Sequence, residues 1–301
     1  MRILFVGNIK LSKIILSKIY KLSKKNLNNK ILVISSKRDK FKSDFSDLAS
    51  FCQNNKIRII KTDNINLQNN IKIIKKFKPD IGFCVGWSQL IHEKIIKIPN
   101  IGFVGYHPSL LPQNRGRHPL IWALVLGLKV TGSTFFLLKS KADAGDIISQ
   151  KKIFIKKNDD ANSLYKKMIE KTKTQIDFIF KNLHRFDDLK IRQNLSQSNY
   201  WRKRNFEDGH IDWCQNAQYI INLTKALTYP YPGAHFTHND MHYKVQEVKL
   251  VKMNKKEIDN IEPGKVLSVK NNGEFIIKCF DQCLVIKKIY PKPKIIKGEY
   301  L

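Results

Sequence analysis

Two residues in the stretch from Ile101 to Gln150 have the types and the setting for proton transfer. His107 follows a short apolar run and immediately precedes Pro108. A residue before proline is held extended, so a histidine at a strand end there projects its imidazole into the space beyond the sheet. An imidazole with a pKa of about 6.5 takes or gives a proton at neutral pH. Asp143 sits in the small-residue turn Ala142-Asp143-Ala144-Gly145-Asp146, where a carboxylate can approach an imidazole closely and orient it. General acid/base chemistry is one reading. A capping aspartate in a hairpin turn beside a surface histidine is the other, and spacing alone leaves both open.

The elements that must position this pair read as alternating strands and helices. Strands are expected at Arg2 to Gly7, Lys30 to Ser35, Ile57 to Ile60, Ile81 to Val85 and Ile101 to Val104. Between them, Ile9 to Leu22, Asp44 to Gln53 and Leu67 to Phe77 carry apolar residues at helical spacing. A further helix, carrying Leu90, Ile91 and Ile95, follows Gly86-Trp87-Ser88. Such alternation implies a parallel α/β sheet, whose ligands bind beyond the carboxyl ends of the strands. Gly7-Asn8, Gly86-Trp87 and Gly105 to His107 all fall there. No GxGxxG follows the first strand and no GxxxxGK[ST] occurs, which disfavours a nicotinamide-nucleotide site and excludes an ATPase-type phosphate loop.

Thr131 to Leu138 and Ile147 to Ile155 read as a hairpin flanking Asp143, and Asn162 to Asn182 as a long helix. Residues 191–207 are polar and read as a linker between a catalytic domain at 1–190 and a smaller domain at 208–301. In the latter, Asp212 is the expected cap of a helix running to about Leu227. Short strands separated by Gly and Asn turns follow, as in a partly open barrel.

The 301 residues are 42% hydrophobic, enough for one large or two ordinary domains. No run approaches a membrane span of about 20 apolar residues. The start, MRILFVGNIK, lacks the basic lead and cleavage site of a signal peptide. Five scattered cysteines form no CxxC pair, so neither a disulfide framework nor a zinc site is expected. The protein is therefore read as cytoplasmic and metal-free. The formal net charge is +30. Its sharp reading is a nucleic-acid partner. The preferred one is a compositional habit, because the lysines are spread over predicted helix faces instead of clustering with aromatics. Either way the surface favours polyanions, phosphorylated small molecules included.

The ordered phrase His107-Pro108-Ser109-Leu110-Leu111-Pro112, Arg115-Gly116, Pro119, Trp122, Thr131-Gly132 and Asp143-Ala144-Gly145-Asp146-Ile147 resembles the signature of the folate-dependent formyltransferases. Asp159-Asp160 with Ser163-Leu164-Tyr165, Ile211-Asp212-Trp213, Ala226-Leu227 and Tyr231-Pro232-Gly233-Ala234 extend the likeness toward the carboxyl end. The resemblance implies a Rossmann-like catalytic domain followed by a small barrel of the oligonucleotide-binding (OB) type. It implies N10-formyltetrahydrofolate as donor and an amine as acceptor, with no metal. By carry-over, His107 is the acid/base near the formyl carbon, and Asp143 is its partner, which also orders a water. Val85, Gly86, Trp87, Ala142 and Asp143 would line the folate crevice, with Trp87 as readily a core residue. Tyr106, Ser109, Arg115, Gly116 and Arg117, together with Arg202, Lys203 and Arg204, are the candidates for holding the acceptor.

The family places an asparagine two residues before the histidine, where this chain has Gly105. The oxyanion donor is then missing, or supplied by His107, by a water beside Gly105, or by backbone N–H. Loss of such a donor costs about 10²–10³ in rate elsewhere, so a slower or geometrically altered enzyme is expected. For the acceptor, RGRHPLIWALVLG with KADAG looks closer to formyltransferases acting on a nucleotide-linked 4-amino sugar. The alternative is methionyl-tRNA, but the loop from Ser35 to Asp44 is shorter than the basic loop of the tRNA enzymes. A formyltetrahydrofolate hydrolase and an impaired folate-binding homologue stand as further alternatives. No membrane partner is expected, and strand edges in the β-rich tail would suit a homodimer.

Overall fold

The computed structural model describes residues 1–24, 28–37 and 43–301. Residues 38–42, the middle of the loop judged short for a tRNA enzyme, lie outside the described residues. The chain divides into two compact units. The first comprises Met1–Pro119, Val130–Phe154 and Lys166–Arg202; the second comprises Leu120–Lys129, Ile155–Tyr165 and Lys203–Leu301.

The first unit is built on strands β1 (Arg2–Val6), β2 (Lys30–Ser35), β3 (Arg58–Lys61), β4 (Ile81–Cys84) and β5 (Gly102–His107), all parallel. Helices α1 (Lys10–Ser23), α2 (Ala49–Asn54), α3 (Gln68–Phe77) and the single turn α4 (Glu93–Ile96) connect them. After the two-residue strand β6 (Arg115–Gly116) and helix α5 (Pro119–Val125), the sheet is extended by β7 (Val130–Leu137), antiparallel to β5, and β8 (Ile147–Phe154), antiparallel to β7. The order is β3-β2-β1-β4-β5-β7-β8. The expected parallel α/β sheet is therefore present, with an antiparallel hairpin at one edge. The strand order reverses between β1 and β4, which opens a crevice at their carboxyl ends.

Sequence explains most of this frame. Strands β1, β2 and β4 are nearly continuous apolar runs because both faces of a parallel sheet are covered; Ile3, Leu4, Phe5 and Val6 are fully buried. In α1, Leu11, Ile15, Leu16 and Ile19 form the buried stripe. Helix α3 stops at Lys78, which takes a left-handed conformation (φ 50°), because it precedes Pro79 and cannot stay helical. Two expected helices are shorter than their periodicity suggested. Phe45 makes an antiparallel bridge to Ile9 instead of starting α2, and most of the segment after Gly86 is irregular before α4.

Helix α6 (Ala161–Lys181) follows β8, and the two-residue strand β9 (Tyr200–Trp201) pairs with β6. In the second unit, α7 (Ala217–Ala226) precedes β10 (Ala234–His238), β11 (Met241–Val251), the turn α8 (Lys255–Ile258), β12 (Val266–Val269), β13 (Phe275–Lys278) and β14 (Cys283–Tyr290). These strands form one antiparallel sheet, β10-β11-β14-β13-β12. The cap of α7 is Asn216, whose side chain accepts from the Tyr219 N–H at 2.8 Å, and not Asp212. Asp212 instead closes a local turn with the Cys214 N–H at 2.9 Å. Among the described residues no helix is long and apolar enough to cross a membrane, and no group of three or more His, Cys, Asp or Glu is arranged to hold a metal.

Candidate active site

His107 is the last residue of β5, at the carboxyl edge of the sheet and 5% exposed. Its Nε2 lies 2.7 Å from the carbonyl oxygen of Asn114. A carbonyl only accepts, so Nε2 carries the hydrogen and Nδ1 is the nitrogen left to exchange a proton. Nδ1 faces Oδ1 of Asp143 at 3.8 Å. The structure thus brings together the two residues that spacing left undecided.

Asp143 is held by its backbone as much as by its side chain. It sits in the left-handed region (φ 55°), a strained position for a residue with a side chain. Its Oδ2 accepts the N–H of Gly116 at 3.1 Å. Gly145, two residues on, has no alternative: a Cβ there would lie 1.7 Å from the carbonyl oxygen of Leu137. The turn is clamped by Gln193, whose Nε2 donates to the carbonyls of Asp143 (3.0 Å) and Gly145 (2.6 Å). Gln193 Oε1 in turn accepts from an Arg115 Nη at 2.6 Å. The other Arg115 Nη donates to the Tyr200 hydroxyl at 3.0 Å.

Gln193 was missed because nothing local marks it. It lies in the polar segment read as linker, and its partners are 50, 48 and 78 residues away in sequence. The structure revises that segment through Arg202. Ile191 bridges Ile147, and Tyr200-Trp201 pairs with Arg115-Gly116, so these residues belong to the catalytic unit.

Several candidates for holding the acceptor are engaged elsewhere. Arg115 is fully buried, and its guanidinium secures Gln193 and Tyr200. Tyr106 neighbours His107 on a strand, where successive side chains point to opposite faces. Its ring packs on Phe135 at 5.1 Å, and its hydroxyl accepts from Ser133 at 3.3 Å. Burial raises its pKa. Ser109 is buried and donates to the Gln113 carbonyl at 2.9 Å. Gly116 contributes the backbone N–H that holds Asp143. Arg204, in the second unit, is buried with its guanidinium 4.7 Å over the Trp122 ring and donating to the Asp208 carbonyl. Arg202 and Lys203 are exposed. Arg117 reaches back to the Ser88 carbonyl at 2.9 Å, toward the segment after β4.

At that segment, Val85 is buried and its carbonyl accepts the Ser12 hydroxyl at 2.6 Å. Gly86 follows at φ 68°, and half-buried Trp87 packs on the core cluster around Leu4 and Phe103. Its buried Nε1 has no hydrogen-bond partner. Ala142 is exposed beside Asp143.

Gly105 shares a face of β5 with His107, and the space beside it is filled. A Cβ there would lie 2.5 Å from Cδ2 of Leu138 and 3.0 Å from Cζ of Phe136. Gly105 is also paired on both sides, with Cys84 of β4 and Phe136 of β7. A side chain at position 105 would therefore have to displace Leu138 and Phe136.

The family model for formyl transferase matches residues 1–176, and that for the formyl transferase C-terminal domain matches residues 204–300. The chain belongs to the formyl transferase family. It is 39% identical over 197 residues to the bifunctional polymyxin resistance protein ArnA of Wigglesworthia glossinidia brevipalpis, covering 63% of this chain but only 29% of that protein. It is 27% identical over 279 residues to the methionyl-tRNA formyltransferase of Caldanaerobacter subterraneus subsp. tengcongensis, covering 90% of this chain and 88% of that one. In fold it is similar to WlaRD, a sugar 3N-formyl transferase crystallised in the presence of dTDP and 5-N-formyl-THF. The TM-score is 0.67 at 19% identity, over 97% of this chain and 99% of that one.

Proposed function

We propose that this formyl transferase moves the formyl group of N10-formyltetrahydrofolate to the amino group of a nucleotide-linked sugar. The observation that carries the chemistry is the His107–Asp143 pair, held at 3.8 Å at the carboxyl end of β5. The neutral amine attacks the formyl carbon, the C=O bond becomes an oxyanion, and the new C–N bond leaves a proton on the amine. His107 takes that proton at Nδ1, because Nε2 is committed to Asn114, and the Asp143 carboxylate stabilises the imidazolium. Collapse reforms the C=O bond and breaks the bond to N10 of the folate, which receives the proton from His107. Without an asparagine at position 105, that position has no side chain to donate to the oxyanion, and turnover is correspondingly slow. The folate crevice in this reading is the end of β4 at Val85, Gly86 and Trp87, with Ala142 at its rim. Arg117 and Arg202 are the cations for the acceptor's phosphates.

The likeness to methionyl-tRNA formyltransferase over most of both chains, together with the +30 charge, supports methionyl-tRNA as the second reading. One experiment separates them. The protein is incubated with N10-formyltetrahydrofolate and either dTDP- and UDP-linked amino sugars, charged methionyl-tRNA, or no acceptor, and formylated product is followed by mass spectrometry. Formylated sugar nucleotide is expected. Formylation of the tRNA alone, or loss of donor without acceptor, would refute the sugar assignment.

A further inference from the structure

The second unit contains a cavity of about 440 Å³ that shares no residue with the His107 site. Four lysines line it: Lys129, after α5; Lys156 and Lys157, between β8 and α6; and Lys225, in the last turn of α7. One carboxylate accompanies them, and it is already committed. Asp159 is buried, with Oδ2 accepting the Lys156 N–H at 2.6 Å and Oδ1 accepting the Ser163 hydroxyl at 2.8 Å. None of Lys129, Lys156 and Lys157 has an ion pair among the described residues, whereas Lys18, Lys97 and Lys139 each meet a carboxylate. Lys225 is held by one hydrogen bond, to the Lys157 carbonyl at 2.8 Å. An ammonium has three donors, so two remain. Burial and then the neighbouring Lys157 lower the pKa of Lys225, against the opposing charges of Asp160 and Asp159. Leu124, Leu126 and Leu128 also line it, with Gln218 and Asn222.

We propose that this cavity binds a small molecule carrying two or more linked phosphoryl groups. Four lysines and one occupied carboxylate in the lining match the charge of a diphosphate. The concavity and the volume fit a compact ligand with an apolar portion against the leucines. A polynucleotide instead requires a basic groove that tracks its backbone. The site is independent of the formyl-transfer reading and stands or falls without it.

The test is calorimetric titration of the full chain with inorganic pyrophosphate at fixed ionic strength. Saturable binding is expected, weakened at least about tenfold in Lys157→Gln/Lys225→Gln. The rise in melting temperature that pyrophosphate gives the wild type should be lost in the same variant. Lys129→Gln/Lys156→Gln alters only exposed side chains and serves if the first variant fails to fold; it too should bind more weakly. Absence of saturable binding to wild type overturns the proposal. So does an affinity within about twofold of wild type in a folded variant. Lysine-dependent binding of single-stranded RNA without pyrophosphate binding overturns it as well, and makes the patch a nucleic-acid surface.

Discussion

Replacing Gln193 by leucine tests whether the Asp143 turn is positioned by a residue that never meets the reacting atoms. The swap keeps the approximate shape and removes three hydrogen bonds, two to the carbonyls of Asp143 and Gly145 and one from Arg115. Each buried group left without a partner costs about 1–3 kcal/mol, with a charged donor at the upper end. Arg115 is fully buried, so its loss cannot be made good by water. A stability loss of about 3–5 kcal/mol is expected by denaturant unfolding. The larger consequence is for catalysis. Asp143 is held in a left-handed conformation with its carboxylate only 3.8 Å from His107. A displacement of about 1 Å at such a site costs about 10²-fold in rate, so kcat should fall by that order while KM for the formyl donor changes less. Gln193→Glu separates the two effects. A carboxylate still accepts from Arg115 but offers no donor to the two carbonyls, so it should restore much of the stability and little of the rate. A folded Gln193→Leu enzyme with kcat/KM within about twofold of wild type would show that the turn is positioned without this residue.

The packing beside Gly105 gives a second prediction. Gly105→Asn alone must push aside Leu138 and Phe136, at a cost of about 1–3 kcal/mol, and should lower stability without raising turnover. Combined with Leu138→Ala, which opens the space, the asparagine should raise formyl transfer; an unchanged rate in that stable double variant would mean that no oxyanion donor is missing. A third concerns pH and lies in the second unit, where His235 is buried among Phe206, His242 and His210. Burial first, and then the charges of His242 and His210, push its pKa from 6.5 down to about 4. Between those values the unfolded chain binds the proton and the folded chain does not, so stability falls as pH drops from 6.5 toward 4 and is insensitive to this group above 6.5. His235→Phe keeps a ring in the stack and should flatten the melting temperature across that window; a slope equal to that of wild type would reject the assignment.

The sequence by itself determined the parallel sheet, because short apolar runs such as Ile3 to Val6 alternate with segments of helical periodicity, and strands so connected are covered on both faces. It also brought forward His107 and Asp143, since a pre-proline histidine and a small-residue turn limit the backbone locally. Short-range signals were weaker where long-range pairing competes. Phe45 left its helical stripe for a bridge to Ile9, and Asn216 took the cap expected of Asp212. Tertiary structure alone decided which charged residues are buried with partners. Arg115 and Arg204 have the same type and motif-like setting as Arg117, yet they are buried with partners, and burial depends on what the rest of the chain brings against them. It alone assigned Gln193, whose hydrogen bonds span 48 to 78 residues and leave no periodicity or local turn to read. It alone showed that Gly105 is a filled position, because the atoms that fill it come from Phe136 and Leu138, in and just beyond the adjacent strand β7.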